Sequence, residues 1–371
     1  NNFTKYFFFY TLIIFFSTFY AHLFRDGVFS FSMPLLSLKR ILIVLVFYSG
    51  FFLIKNERLK VLKKIIFFYS VPFIIHLFYI LYNFAFEGVD LRDFWSKDPK
   101  LNLTLLTSFN LVDGSVSFIG NAGTSVQLGV FCSFLSIIFL SLYTTLKKYK
   151  YLIAHILFLF ALVFTVSRSG LLSLFIGLTY FIVIDRTNKK YSYSIFLFSG
   201  LILLFSFTFE MISQFGLINR LLSAKSLYDT SASLRVYIWK SFILGLINYP
   251  LIFLIGIGYN DDVASNIFRF GDQFIPSSFE NMFIDSLAFG GIFCLTFLLV
   301  TWHSLFKMAQ NYPKINNEYY RAIFKGVYAF LPGYFLANFF GNSFQTDFFQ
   351  SFFLIVIGII YFDSRTSTNL N

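Results

Sequence analysis

The chain has 371 residues, of which 57% are hydrophobic and 23% aromatic, while only 13% are charged. A soluble domain carries about 25% charged residues, so here too little polar surface is left to coat a globule in water. Composition therefore excludes a soluble enzyme, a disordered chain and a disulfide scaffold, and it indicates a protein that crosses a membrane many times.

The apolar residues come in continuous runs, such as Ile41 to Ile54 and Tyr151 to Val166. A barrel strand would alternate in polarity over about 10 residues, whereas a helix needs roughly 20 apolar residues to cross the hydrocarbon. The fold class expected is therefore an all-α polytopic membrane protein with about ten transmembrane helices. In chain order the spans are predicted at 6–23, 40–54, 65–82, 122–145, 151–167, 169–184, 193–209, 281–305, 322–340 and 350–362. The first could be mistaken for a signal peptide, but it lacks a small-residue cleavage site and is long enough to span. The whole chain, 1–371, reads as one integral membrane domain.

Charge sets the expected topology. The loop after the second span carries Lys55, Arg58, Lys60, Lys63 and Lys64, and positive residues stay on the cytoplasmic side. With that loop inside, Lys147, Lys148, Lys150, Arg186, Lys189, Lys190, Lys307, Lys314, Arg321 and Lys325 fall inside as well. Both termini are then cytoplasmic. The net charge of +11 is read as membrane topology and not as a nucleic-acid footprint. Two long segments face outward: a loop at 83–121 and a large, helical periplasmic loop at 210–280, between spans seven and eight.

Few residues in these segments can carry chemistry. Arg168 sits in Thr165-Val-Ser-Arg-Ser-Gly170, between two apolar runs. On one reading it is a turn residue that snorkels to the headgroups. On the other it faces an outward cavity and holds an anion, because a planar guanidinium forms paired, charge-assisted bonds to phosphate. In the large loop, Leu234, Ile238, Phe242 and Leu246 recur at helical spacing, and Ser231 or Ser233 can cap the helix. Arg235 would stand in its first turn, where anions are favoured, and Pro250 would end it, with Gly256-Ile-Gly258 as a flexible exit. An interfacial amphipathic helix anchored by Trp239 explains the same pattern. Further on, Pro276-Ser-Ser-Phe-Glu-Asn-Met-Phe-Ile-Asp285 places Glu280 and Asp285 at a membrane entrance. Partial burial would make Glu280 a better general base, and the helix dipole alone would also favour carboxylates there.

Other chemistries leave no trace. Cys132 and Cys294 lie inside apolar spans and read as small hydrophobes. His22, His76, His155 and His303 show no metal-ligand spacing. There is no Walker loop, dinucleotide fingerprint or nucleophile elbow. No metal and no cofactor are expected.

Three pieces in this order resemble the O-antigen polymerase (Wzy) and O-antigen ligase superfamily. They are Phe164-Thr-Val-Ser-Arg-Ser-Gly-Leu-Leu-Ser-Leu-Phe-Ile-Gly177; the series Arg235, Trp239, Pro250-Leu251 and Gly256-Ile-Gly258; and Glu280-Asn281 followed by Gly290-Gly291. Gly120-Asn-Ala-Gly-Thr124 is a weaker echo. The resemblance covers about 120–305. It implies a metal-independent, GT-C-like glycosyltransferase of the bacterial inner (plasma) membrane, acting at the periplasmic face on glycans linked to undecaprenyl diphosphate.

By the same resemblance Arg168 and Arg235 bind the diphosphate. In the mechanism built on this, Glu280 is the general base, Arg220 or Lys225 adds a third contact, and Asn281 and Asp285 contact substrate; on the other reading Asp285, which lies deeper, pairs with an Arg. Ligases of this superfamily have a His before the Asn of the third piece. Phe279 and Glu280 stand there instead, which favours a polymerase that joins repeat units with inversion. A polysaccharide chain-length regulator is an expected partner alongside the lipid bilayer. The alternatives are the ligase, which transfers glycan to lipid A–core, and a lipid-linked oligosaccharide flippase or transporter. Against the carrier, the hydropathy shows no two-fold repeat. Aromatic residues such as Trp95 and Tyr259 are candidates to stack on sugar rings.

Overall fold

The computed structural model describes residues 2–24, 42, 44–49, 52, 57–86, 109–112, 115–118, 125–165, 167–185, 199–200, 230–258, 267, 279, 281–339 and 347–368. The fold is helical. In chain order the helices are α1 (Asn2–Phe24), α2 (Arg58–Phe86), α3 (Ser125–Leu146), α4 (Tyr149–Phe164), α5 (Arg168–Ile184), α6 (Thr230–Asn248), α7 (Leu251–Ile255), α8 (Met282–Gln310), α9 (Glu318–Ala337) and α10 (Asp347–Thr368). Residues 44–49 are also helical. Eight of these helices fall on eight of the spans expected from hydropathy. Of the span expected at 193–209, only 199–200 lie within the described residues.

The all-α expectation holds, with one short two-stranded element beside the helices. Strands β1 (Phe109–Val112) and β2 (Ser115–Phe118) form an antiparallel hairpin in the long loop 83–121, pairing Phe109 with Phe118 and Val112 with Ser115. The two residues between the strands are Asp113 and Gly114, a pair that strongly favours two-residue hairpin turns.

The chain groups into two compact units. One holds residues 54–225 and 311–337. At its centre is α3, against which α4, α5 and α9 all pack. Between Leu128 and Leu146, 94% of this helix is buried, which explains why it is apolar all round. Its buried serines bond to carbonyls or to other side chains. Ser133 Oγ donates to Gly170 O at 2.6 Å and Ser141 Oγ to Ala322 O at 2.6 Å. Ser136 Oγ lies 2.8 Å from His155 Nδ1, whose Nε2 lies 2.9 Å from Ser199 Oγ.

Helices α5 and α9 are pinned along their length. Ser173 Oγ reaches Gly333 O at 3.4 Å, Tyr180 donates to the Tyr328 hydroxyl at 2.8 Å, and Lys325 Nζ meets Asp185 Oδ1 at 3.0 Å. Lys325 also lies over the Phe181 ring at 4.7 Å. Asp185 stands at the negative end of α5, where a carboxylate is disfavoured, so the lysine is what makes its burial tolerable.

The other unit holds residues 1–53, 226–310 and 338–371. Here α1 runs along α8, with the Tyr10 hydroxyl 3.2 Å from Ser286 Oγ. Phe47 is the hub of an aromatic pile, 5.8 Å from Phe3 and 5.6 Å from both Tyr361 and Phe362. Helix α8 is broken at Gly291, whose φ is 69° and ψ −169°, a conformation essentially restricted to glycine.

Two outcomes are expected. Gly291→Ala should destabilise the protein by about 2 kcal/mol or more, because the added methyl would also strike the Leu254 carbonyl; a thermal melt in detergent reads this. Lys325→Met strands a buried carboxylate and should cost about 3–5 kcal/mol. Adding Asp185→Asn should recover most of that loss, which a double-mutant cycle measures.

Candidate functional site

Arg168 opens α5, and the backbone around it is tightly held. Thr165 ends α4, its N–H and Oγ1 both donating to Leu162 O. Ser167 then turns extended (φ −93°, ψ 105°) and caps α5 by accepting from Gly170 N–H at 3.0 Å. A Ser at this position satisfies one of the free N–H groups at the helix start. The junction also presses on α3. A methyl group on Gly170 would sit 2.6 Å from the Gly129 carbonyl carbon, so the two glycines allow backbone to meet backbone. Thr165, Ser167, Ser169 and Gly170 are buried, whereas Arg168 is half-buried. The arginine therefore emerges from tightly packed, buried neighbours, at the helix end whose dipole favours an anion.

Helix α6 begins at Thr230, so Ser231 and Ser233 lie inside it and do not cap it, and Arg235 stands in its second turn and not its first. The rest of α6 is anchored by the apolar face read from the sequence. Ile238 and Phe242 are buried against Phe279, Ala288 and Phe289, and Leu246 packs on the same cluster. Trp239 is tied down, its Nε1–H donating to Phe279 O at 3.1 Å.

Gly256-Ile-Gly258 is not the flexible exit expected from composition. Gly256 and Gly258 have φ of 76° and 67°, and the segment is bonded to the broken helix. Ile257 N–H donates to Ala288 O at 2.8 Å and Gly258 N–H to Phe289 O at 3.0 Å. A continuous helix would give those carbonyls to residues four further on; the break at Gly291 releases them, and the 256–258 segment takes them up. Ser17 Oγ donates to the Ile255 carbonyl at 3.0 Å. The second and third motif pieces are thus in direct contact through Gly256–Gly258 and Gly290–Gly291.

The start of α8 is clamped from several sides. Asn281 caps it, Oδ1 accepting from Phe283 N–H at 3.0 Å and Ile284 N–H at 3.1 Å. Its Nδ2 donates to Phe339 O at 3.1 Å, and Met282 N–H donates to Asn338 O at 3.0 Å. Asp285 is fully buried, and its Oδ1 accepts from Phe279 N–H at 2.7 Å. Phe279 is therefore held at both of its peptide groups, by Trp239 and by Asp285, and its ring lies 5.2 Å from that of Phe242.

Of the residues singled out in the sequence, Arg168 belongs to the α3-centred unit, and Arg235, Asn281 and Asp285 to the other. Glu280, Arg220 and Lys225 lie outside the described residues, as do Trp95, Tyr259 and Gly120–Thr124. The sequence reading missed Ser167 as the cap, the Gly129–Gly170 contact and the Trp239–Phe279–Asp285 chain. A Ser three residues before Gly170 is a helix-start pattern and was legible. The other two join residues far apart in the chain. Among the described residues no group of His, Cys, Asp and Glu could hold a metal ion.

This is the arrangement of a polytopic membrane protein with an arginine set at a rigid helix start and a carboxamide-capped, broken helix. Residues 153–299 match the family model described as O-antigen ligase. The match supports the O-antigen ligase and polymerase superfamily for this chain, and with it a function of that type in surface-polysaccharide biosynthesis. The matched stretch runs from α4 to the far side of the α8 break, so it contains all three motif pieces. No curated protein and no solved structure matches the chain.

If Asp285 serves to hold Phe279, Asp285→Asn should keep most of the activity, because an amide oxygen still accepts the bond. Asp285→Ala should instead lower stability by about 1–3 kcal/mol, leaving a buried N–H unsatisfied. Thermal melts and glycan-transfer assays of both variants test this, and a direct catalytic role would make the Asn variant inactive.

Proposed function

We propose that the protein is an O-antigen polymerase. It joins oligosaccharide repeat units carried on undecaprenyl diphosphate, at the periplasmic face of the bacterial inner membrane. The observation that carries this reading is Arg168, half-buried at the first residue of α5 on a junction too tight to shift, within the stretch that matches the O-antigen ligase family. The choice of polymerase over ligase rests on Phe279 and Glu280, which stand where ligases of the superfamily carry a His.

In this mechanism a growing glycan enters on its lipid diphosphate. The acceptor sugar hydroxyl of an incoming unit attacks the anomeric carbon from the face opposite the diphosphate. The new C–O bond forms as the bond to the diphosphate breaks, and the anomeric centre inverts. Arg168 and Arg235 take the charge that grows on the leaving diphosphate, with Arg220 or Lys225 as further contacts. Fixed cations aimed at developing charge are worth several kcal/mol in a water-poor site. Glu280 accepts the hydroxyl proton. Asn281 and Asp285, expected from the sequence as substrate contacts, act here by holding the residues on either side of Glu280. A polysaccharide chain-length regulator is the partner this function calls for.

Arg168→Ala should lower the polymerisation rate about 10²–10³-fold, the usual effect of removing one such donor, with normal insertion in the membrane. Arg235→Ala and Glu280→Gln should also be strongly impaired; full activity in either would sink that residue's role. The deciding measurement is a lipopolysaccharide gel of the deletion strain. A core bearing one repeat unit and no ladder supports the polymerase. A bare core means that ligation or flipping has been lost, and the ligase reading replaces it.

A further inference from the structure

At the end of the α3-centred unit that lies opposite Arg168 along α5, the surface is basic, aromatic and then abruptly apolar. Helices α3 and α4 meet there in a two-residue corner, Lys147-Lys148, with Tyr149 and Lys150 opening α4; all four residues are exposed, Tyr149 to 73%. The corner's local preferences run against lysine. Lys147 has φ 55°, the left-handed conformation in which Gly or Asn is favoured. Lys148 stands at the cap of α4 without a side-chain cap bond, and no acidic residue lies in the first turn, where the dipole disfavours cations. The dipole of α3, which ends at Leu146, favours these cations while that of α4 disfavours them; the left-handed Lys147 is the broken local rule, and such places are where function is expected.

The corner is continuous with two other elements. Lys150 Nζ lies over the Tyr151 ring at 5.2 Å, and Lys63 Nζ, from α2, over the Tyr319 ring of α9 at 5.1 Å. Burial first, and then the neighbouring Tyr151, push the Tyr319 hydroxyl pKa up, so the two tyrosines are close. The carboxylates at this end are occupied or apart: Glu318 pairs with Arg321 at 3.7 Å and Asp185 with Lys325. Among the described residues, no carboxylate lies within ion-pair reach of Lys63, Lys148 or Lys150.

One helical turn further along both helices the character reverses. After Lys63 and Lys64, Phe67 and Phe68 are 57% and 66% exposed; after Tyr149 and Lys150, Ile153 is 58% exposed. Four residues of helix span about 6 Å, the step from headgroup to acyl chain. A nucleic acid or an acidic protein would complement the lysines but not that apolar band. We propose that this rim is a binding site for the headgroups of anionic phospholipids, with the lysines on the phosphate and the tyrosines at the headgroup level. It is separate from the diphosphate site proposed above and does not depend on the protein being a polymerase.

The test is native mass spectrometry of the full chain released from detergent containing equal phosphatidylglycerol and phosphatidylcholine. The wild type should retain phosphatidylglycerol selectively. Lys63→Gln/Lys147→Gln/Lys148→Gln/Lys150→Gln should lose that retention about tenfold or more, since each lysine near a lipid surface contributes several-fold. The matching fourfold Lys→Arg protein should keep it. Should the fourfold Gln variant misfold, Lys148→Gln/Lys150→Gln reads the same loss at smaller size. Retention unchanged in the Gln variants would overturn the proposal. So would an equal loss in the control Lys5→Gln/Lys240→Gln, which would mean diffuse charge. Complete displacement of the lipid by equimolar inorganic phosphate would also overturn it, revealing a site for a free anion and not for a lipid.

Discussion

Hydrocarbon offers no water to a backbone N–H or C=O, so every such group inside the bilayer must find its partner within the protein. An unbroken helix meets this requirement by itself. This chain interrupts its helices at the places where function is read, and each interruption is repaired locally. Ser167 caps the start of α5. Asn281 caps the start of α8. Ile257 and Gly258 take the carbonyls that the break at Gly291 sets free. Without these repairs, each break would leave buried backbone groups unsatisfied, at about 1–3 kcal/mol apiece.

Glycine makes the repairs geometrically possible, for two different reasons. At Gly256, Gly258 and Gly291 the backbone itself requires positive φ. At Gly129 and Gly170 the φ is ordinary, but a Cβ would collide with the facing chain. Both uses exchange side-chain bulk for close backbone approach, which is how apolar helices gain packing when lipid is as apolar as their own side chains. The result is close packing in each of two places: beside Arg168, where Ser167 and Gly170 press on Gly129, and at Phe279 and Asn281, which are held by hydrogen bonds. A charge held still and out of water acts on a developing charge without reorganisation, so rigidity here is part of the proposed chemistry.

The long segment 210–280 shows how a loop by hydropathy can be structure by packing. Its central helix α6 presses Ile238 and Phe242 on Phe279 and Phe289, while Ile243, Ile247 and Leu251 remain exposed. The inner face reads from sequence as a periodic stripe. What it packs against does not, because Phe279 and Phe289 lie well over thirty residues downstream, outside any window in which periodicity can be measured.

Composition and hydrophobic pattern alone determined that the chain is a helical membrane protein, where most helices run, and that Arg168 stands at a helix boundary, because lipid solvation acts on every residue of a span and leaves an unbroken signal. The order of three short motifs was enough to indicate the superfamily. The hairpin at 109–118 was legible in Asp113-Gly114, but the apolar background hid it. Only the tertiary structure decided that Gly256-Ile-Gly258 is a docked segment and not a flexible exit, that Asp285 holds Phe279, that Gly170 meets Gly129, and that Asp185 is paired with Lys325. Each of these joins groups from separate elements, and a sequence records the residues but not which carbonyl or carboxylate a fold will bring within 3 Å of them.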